Sequence, residues 1–148
     1  MQKKRILALF LAAVSCLSLA VSASAASTTT RKATDFKDYD RTAWYAEAVS
    51  AAVDNGLLYG KSATIIDPNG DMTRAEMAAI INRSFGCYVK ADISKYKDVS
   101  KDKWYFEDVA MAVQMGTYNG RSNTAMAPDA PITREEAMTV VARALELD

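Results

Sequence analysis

The 148-residue sequence contains no histidine. That excludes Ser–His and Cys–His nucleophile pairs, His-ligated zinc and the commonest general base. An enzyme built only on carboxylates remains possible on these grounds, and neither a cofactor nor a metal is expected. Cysteine is nearly absent, with Cys16 and Cys87 the whole supply. Long apolar runs are absent except for one, Ile6 to Val21. It follows Lys3, Lys4 and Arg5 and precedes Ala23-Ser24-Ala25, the order of a secretory signal peptide over residues 1–25. The run is shorter than the about 20 residues a spanning helix needs, so no membrane span is expected after cleavage. Cys16 would leave with the leader. Cys87 alone gives no internal disulfide, so stability must come from packing. Its thiol is expected as a small buried hydrophobe or as a bridge between chains. No basic block survives beyond the leader, where 15 Lys and Arg face 18 Asp and Glu. Nucleic acid is therefore not an expected partner.

What is present is one unit written twice. Shifted by 60 residues, positions 35–88 match 95–148 at 17 of 54 places without a gap. Trp44-Tyr45 falls on Trp104-Tyr105, Asp38 on Asp98, Gly56 on Gly116 and Gly60 on Gly120. Thr73-Arg74 falls on Thr133-Arg134 and Glu76 on Glu136. An internal repeat of this period indicates stacked supersecondary units. Each unit reads as helix, loop, helix. The first helix is expected near Trp44, with Thr42 or Asp102 as N-cap and Tyr45, Ala48, Val49, Ala52 and Val53 as its apolar face. In the second unit Tyr105, Val109, Ala112 and Val113 repeat that face, and Gly56 and Gly116 end it. The second helix shows a stripe at Met77, Ile80, Ile81 and Ser84, matched by Ala137, Val140, Val141 and Ala144. No alternating strand pattern appears, so the fold class is all-α. Residues 26–34 read as a flexible lead and 89–94 as a linker. A unit of this size buries little alone, so the two must pack on each other or on a partner.

The stretch "DPNGDMTRAE", residues 67–76, allows two readings. Asp67, Asn69 and Asp71 alternate like calcium ligands. A calcium loop needs Gly at its sixth position and Glu at its twelfth, where this chain has Met72 and Ala78, and the second repeat has Ala127, Asp129 and Pro131 at the ligand positions. The capping reading holds in both repeats: Thr73 with Glu76, and Thr133 with Glu136, form capping boxes. Arg74 and Arg134 do not serve the cap. A cation at the first helical position opposes the helix dipole, so each arginine either faces an anion or is tied to a carboxylate or an aromatic ring.

In order, Phe36-Lys37-Asp38, Trp44-Tyr45, Gly56 to Gly60, Ile66-Asp67-Pro68 and Thr73-Arg74-Ala75-Glu76 resemble the S-layer homology (SLH) family. Tyr96-Lys97-Asp98, Trp104-Tyr105, Gly116 to Gly120, Met126-Ala127-Pro128 and Thr133-Arg134-Glu135-Glu136 resemble it again. The resemblance implies two repeats, 35–88 and 95–148, packed as an incomplete pseudo-threefold helical bundle. It implies a secreted protein associated with the cell wall or S-layer, holding to a secondary cell-wall polysaccharide, often a pyruvylated one. It makes Arg74 and Arg134 the carboxylate-binding residues, with Glu135 expected to weaken Arg134. Trp44 and Trp104 are candidates to stack on sugars or to pack in the core. Asp38 and Asp98 would accept sugar hydroxyls or close a turn. Gly60 and Gly120 would permit loop geometry and touch ligand. Lys61 and Arg121 would meet an anion or remain solvated surface charges. Arg83 and Arg143, late in their helices, suit the dipole as structural residues.

Three functions compete: a glycan-binding envelope module, a subunit that assembles with other SLH chains without binding glycan, and a carboxylate enzyme on wall sugar. The likeness of the two units disfavours the enzyme, and no carboxylate pair stands apart in an apolar setting. A missing third repeat would leave Val49, Val53, Ile80, Ile81, Val109, Val113, Val140 and Val141 partly open, favouring a homo-oligomer or another SLH chain as partner.

Overall fold

The computed structural model describes residues 31–147; the signal-peptide expectation and Cys16 lie outside them. Among the described residues there are four α-helices: α1 (Ala46–Asp54), α2 (Arg74–Phe85), α3 (Phe106–Gln114) and α4 (Arg134–Ala144). A short 3-10 turn, Ala33–Asp35, precedes them. The described residues hold no sheet, only one antiparallel bridge between Thr73 and Pro131. The protein is all-α, and none of these helices is long and apolar enough to cross a membrane.

Each second helix starts as the capping boxes require. Thr73 Oγ1 accepts from the Glu76 N–H at 3.2 Å, and the Thr73 N–H donates to Glu76 Oε2 at 2.8 Å. Thr133 and Glu136 repeat the pair at 3.2 and 3.0 Å. The first helices start differently from expectation. They begin two residues after the tryptophans, with Tyr45 and Tyr105 at the N-cap and no side-chain cap. Thr42 and Asp102 do not cap, because Thr42 bonds Asp40 and Asp102 accepts from the Ser100 hydroxyl.

The core runs between the repeats. α2 packs mainly on α3, the first helix of the other repeat, and less on α4. Its buried side is Arg74, Ala75, Ala78, Ala79, Ile81 and Asn82, not the expected stripe. Met77 and Ile80 are half-buried and Ser84 is exposed. The reason is local: alanines let a neighbouring helix approach closely, and two polar side chains on that side are buried with partners of their own. Asn82 donates to the Asp108 carbonyl at 2.8 Å. The main cluster joins Ala75, Ala78 and Ile81 to Ile93, Tyr96, Tyr105, Val109, Ala112, Tyr118, Met126 and Val140. A smaller one, Ala33, Phe36, Val53 and Ile66, serves the first repeat alone.

The valine and isoleucine stripes expected to stand open are divided. Val53, Ile81, Val109 and Val140 are buried, while Val49, Ile80, Val113 and Val141 are half-buried. The lead expected to be flexible is held at its described end. Ala33 is buried, Arg31 donates to the Tyr59 carbonyl, and Lys32 pairs with Asp54. In the linker the Ala91 N–H donates to the Ala110 carbonyl, and Ile93 enters the core. Cys87 is half-buried, with its thiol against the Val89 and Met111 carbonyls.

Candidate functional site

The site grows from the way α2 enters the second repeat. Its first two N–H groups, on Arg74 and Ala75, donate to the Ala130 and Pro128 carbonyls at 3.0 and 2.9 Å. The free donors of a helix start are thereby satisfied by the neighbouring loop. The Arg74 side chain follows them inward and is only 6% exposed. Its Nε donates to the Met126 carbonyl and its Nη2 to the Asn119 carbonyl, both at 3.0 Å. Its Nη1 lies 3.1 Å from Glu136 Oε1. The guanidinium lies over the Tyr118 ring, 5.2 Å from its centroid, and the Tyr118 hydroxyl donates back to the Arg74 carbonyl. Burial pushes the Tyr118 phenol well above its ordinary range, which keeps it a neutral donor.

Glu136 is the hub. It accepts from Arg121 through Nε and Nη2, both at 3.1 Å, closes the Thr133 cap and faces Arg74. Arg121 holds its carboxyl below the usual range against a smaller opposing effect of burial, aided by the Thr133 N–H and Arg74. Around this hub lies a groove of about 310 Å³ whose wall includes Arg74, Tyr118, Asn119, Arg121, Glu135 and Arg143. Gly120, Glu136 and Thr139 also line it. Guanidinium groups, carboxylates, an amide and a hydroxyl thus converge on one concave surface of the second repeat, to which the first repeat contributes Arg74. Such an arrangement can take a polar ligand with many hydroxyls and an anionic substituent.

The expected residues separate into three groups. Arg74, Gly120 and Arg121 meet in the groove. Arg134 does not line it; it is exposed, with no hydrogen bond or ion pair among the described residues. Asp38 and Asp98 are loop braces. Asp38 accepts from the Ile66 and Asp67 N–H groups at 2.9 and 2.7 Å, and Asp98 from those of Met126 and Ala127 at 2.9 and 2.7 Å. The Ile66 bond, with help from Asp67, draws the Asp38 carboxyl below its ordinary value despite some desolvation. These bonds hold Asp67 and Ala127 in the left-handed region, each at φ 55°, where a side chain costs about 1–2 kcal/mol.

Gly60 has φ +82°, and a Cβ there would lie 2.5 Å from the Phe36 ring and 2.7 Å from the Ile65 carbonyl. At Gly120 a Cβ would meet the Tyr96 ring and the Ser122 carbonyl, both at 2.5 Å. Lys61 and Arg121 are exposed but paired. Lys61 donates to the Asp71 carbonyl and pairs with Glu76 at 2.9 Å, the first-repeat version of Arg121 with Glu136. Arg83 and Arg143 are structural bonds across their own repeats, to the Leu57 and Thr117 carbonyls, and Arg143 also reaches the groove.

The tryptophans correct the core-packing alternative. Trp44 is 93% and Trp104 60% exposed. Each stands edge-on to the tyrosine after it, with ring centroids 5.7 and 5.4 Å apart. The tyrosines turn inward instead. Tyr105 is buried and donates to Asp129, and burial with that bond pushes its phenol up to about 12. Two aromatic faces are thus presented to solvent at the same repeat position.

Sequence reasoning missed Tyr118, Asn119 and Thr139 among the groove residues, and Tyr118 matters most because Arg74 stacks on it. Its counterpart is Leu58, so the repeat comparison hid it. The spacing of Glu136 from Thr133 shows its cap role alone; its contact with Arg74 depends on a side chain arriving from the other repeat.

Comparison with known proteins gives one family. The model of the S-layer homology domain matches residues 35–78 and 95–138. The Surface-layer 125 kDa protein of Lysinibacillus sphaericus is 37% identical over 116 residues, 76% of this chain and 10% of that protein. An endoglucanase of Bacillus sp. (strain KSM-635) is 29% identical over 98% of this chain and 15% of its own length. The S-layer protein sap of Bacillus anthracis is 23% identical over 76% of this chain and 14% of its own. The chain thus spans less than a fifth of the length of each of these relatives.

Proposed function

From the premise that this chain belongs to the S-layer homology family, we propose that it is a non-catalytic anchoring module of the cell envelope. Its ligand is a secondary cell-wall polysaccharide carrying pyruvate, held without a covalent bond. The observation that carries this reading is the groove on the second repeat, with Arg121 and Arg143 in its wall beside Glu135 and Glu136 and Arg74 entering from the first repeat. Hydroxyls of a sugar suit the carboxylates, Asn119 and Thr139, while a ketal carboxylate suits the guanidinium groups. Arg74 is already committed to two carbonyls and Glu136, so it shapes the groove, and Arg121 and Arg143 meet the anion. The open faces of Trp44 and Trp104 add stacking surfaces for sugar rings.

The surface-layer names among the relatives support anchoring at the cell surface. The endoglucanase name belongs to a protein of which this chain matches 15%, and it supports no catalytic role here. The test is retention of the full chain on purified cell walls, before and after mild acid removes the ketal. Retention that survives depyruvylation and Arg121→Ala unchanged would refute the reading.

A further inference from the structure

Much of the joint between the repeats recurs 60 residues away without its partner, although Leu58 stands in place of Tyr118 and the Tyr59 carbonyl, counterpart of the Asn119 carbonyl, already accepts from Arg31. Arg74 is buried and fully engaged; Arg134 is exposed and unpaired among the described residues. The Arg74 and Ala75 N–H groups donate to the Ala130 and Pro128 carbonyls, whereas those of Arg134 and Glu135 make no such bond across the repeats. The receiving half recurs as well. Glu136 with Arg121 becomes Glu76 with Lys61, and the Pro128 and Ala130 carbonyls become those of Pro68 and Gly70, which accept no backbone hydrogen bond among the described residues.

Burial follows the same division. Ala78 of α2 is 0% exposed, and its counterpart Met138 on α4 is 63% exposed. On the receiving side Tyr105, Ala112 and Tyr118 are buried, while their counterparts Tyr45, Ala52 and Leu58 are only half-buried. One end of the molecule therefore carries the inserting half of a joint, and the other end carries the receiving half.

We propose that a second copy of this chain completes the joint head to tail. The start of α4 in one copy seats on α1 and the 57–70 loop of the next, with Arg134 facing Glu76 as Arg74 faces Glu136. The occupant is a copy because the two open halves match in charge, cation to carboxylate, and because the same contact already exists inside the chain one repeat earlier. The contact is heterologous, so it grows or closes according to the rotation between copies. Met138 supplies apolar area where the internal joint uses alanine, so the inter-copy contact is a looser relative of the internal one.

The test is sedimentation velocity of the full chain over a wide concentration range. The average mass should rise with concentration. Arg134→Glu should weaken association by about ten- to a hundred-fold, the loss of one charge-assisted contact, with unchanged helix content by circular dichroism. Arg134→Lys should retain part of the association. A monomer at every concentration, or Arg134→Glu associating as tightly as the parent, would overturn the proposal. Wall retention reports separately, because Arg134 does not line the groove and Arg134→Glu leaves it intact.

Discussion

Replacing Arg74 by alanine acts on the joint before it acts on any ligand. Two charge-assisted hydrogen bonds disappear, to the Met126 and Asn119 carbonyls, along with the stack on Tyr118. Each such bond contributes about 1.5–3 kcal/mol. Deleting one partner of a buried ion pair costs about 3–5 kcal/mol when it strands the other charge. Here Glu136 is not stranded, because Arg121 and the Thr133 cap still hold it. Water entering from the groove re-solvates part of what is exposed. The expected loss is therefore about 3 kcal/mol, which for a domain of this size lowers Tm by roughly 10–15 °C. Urea and thermal melts followed by circular dichroism measure it. Arg74→Lys should recover little, because an ammonium cannot reach two carbonyls and a carboxylate with one planar fork. Arg134→Ala is the control: its side chain is exposed and unpaired among the described residues, so it should stay within about 0.5 kcal/mol of the parent. A loss below about 1 kcal/mol for Arg74→Ala, or an equal loss for both, would refute the assignment of Arg74 as the keystone of the joint.

Other outcomes follow from the same contacts. The Glu136 carboxyl is lowered by Arg121 and the Thr133 cap, so its contribution is present above an unfolded-state value of about 4.3. It is lost as pH falls through the lower folded value. Acid melts should show stability declining in that range, and Glu136→Gln should flatten the decline. Trp44→Ala and Trp104→Ala should leave the melting temperature almost unchanged while reducing wall retention. Iodide should quench Trp44 more strongly than Trp104, following their 93% and 60% exposure; strong protection of both would contradict the outward placement. Gly116→Ala meets no atom within 4 Å and should cost only the positive-φ penalty, about 1–2 kcal/mol. Gly60→Ala adds overlap with Phe36 and the Ile65 carbonyl and should cost about 1–3 kcal/mol more by equilibrium unfolding.

The sequence made the local features legible and the joint illegible. Both capping boxes were readable because each is contained within four residues whose spacing fixes the geometry. The all-α class was readable because helical periodicity recurs in every segment. The buried side of α2 was not, because two of its six buried positions are Arg74 and Asn82, which a hydrophobic pattern counts as surface. Their burial depends on carbonyls supplied from residues 108–126 of the other repeat. Asp38 and Asp98 could not be assigned for a similar reason: their N–H partners lie 28 and 29 residues away. The tryptophans were misplaced by proximity to an apolar stripe, when the adjacent tyrosine is the residue that turns inward. The two-fold likeness of the repeats also concealed a difference of environment. α2 has a following repeat to enter, whereas α4 has none among the described residues.

The claim that the groove on the second repeat takes a pyruvylated wall glycan is tested most directly by NMR titration of the isotope-labelled full chain with a purified, pyruvylated fragment of the wall polymer. Saturable shifts should cluster at Tyr118, Asn119, Gly120, Arg121, Glu135 and Thr139 and vanish with the depyruvylated fragment. No shifts, or a cluster away from the groove that ignores the ketal, would contradict the account.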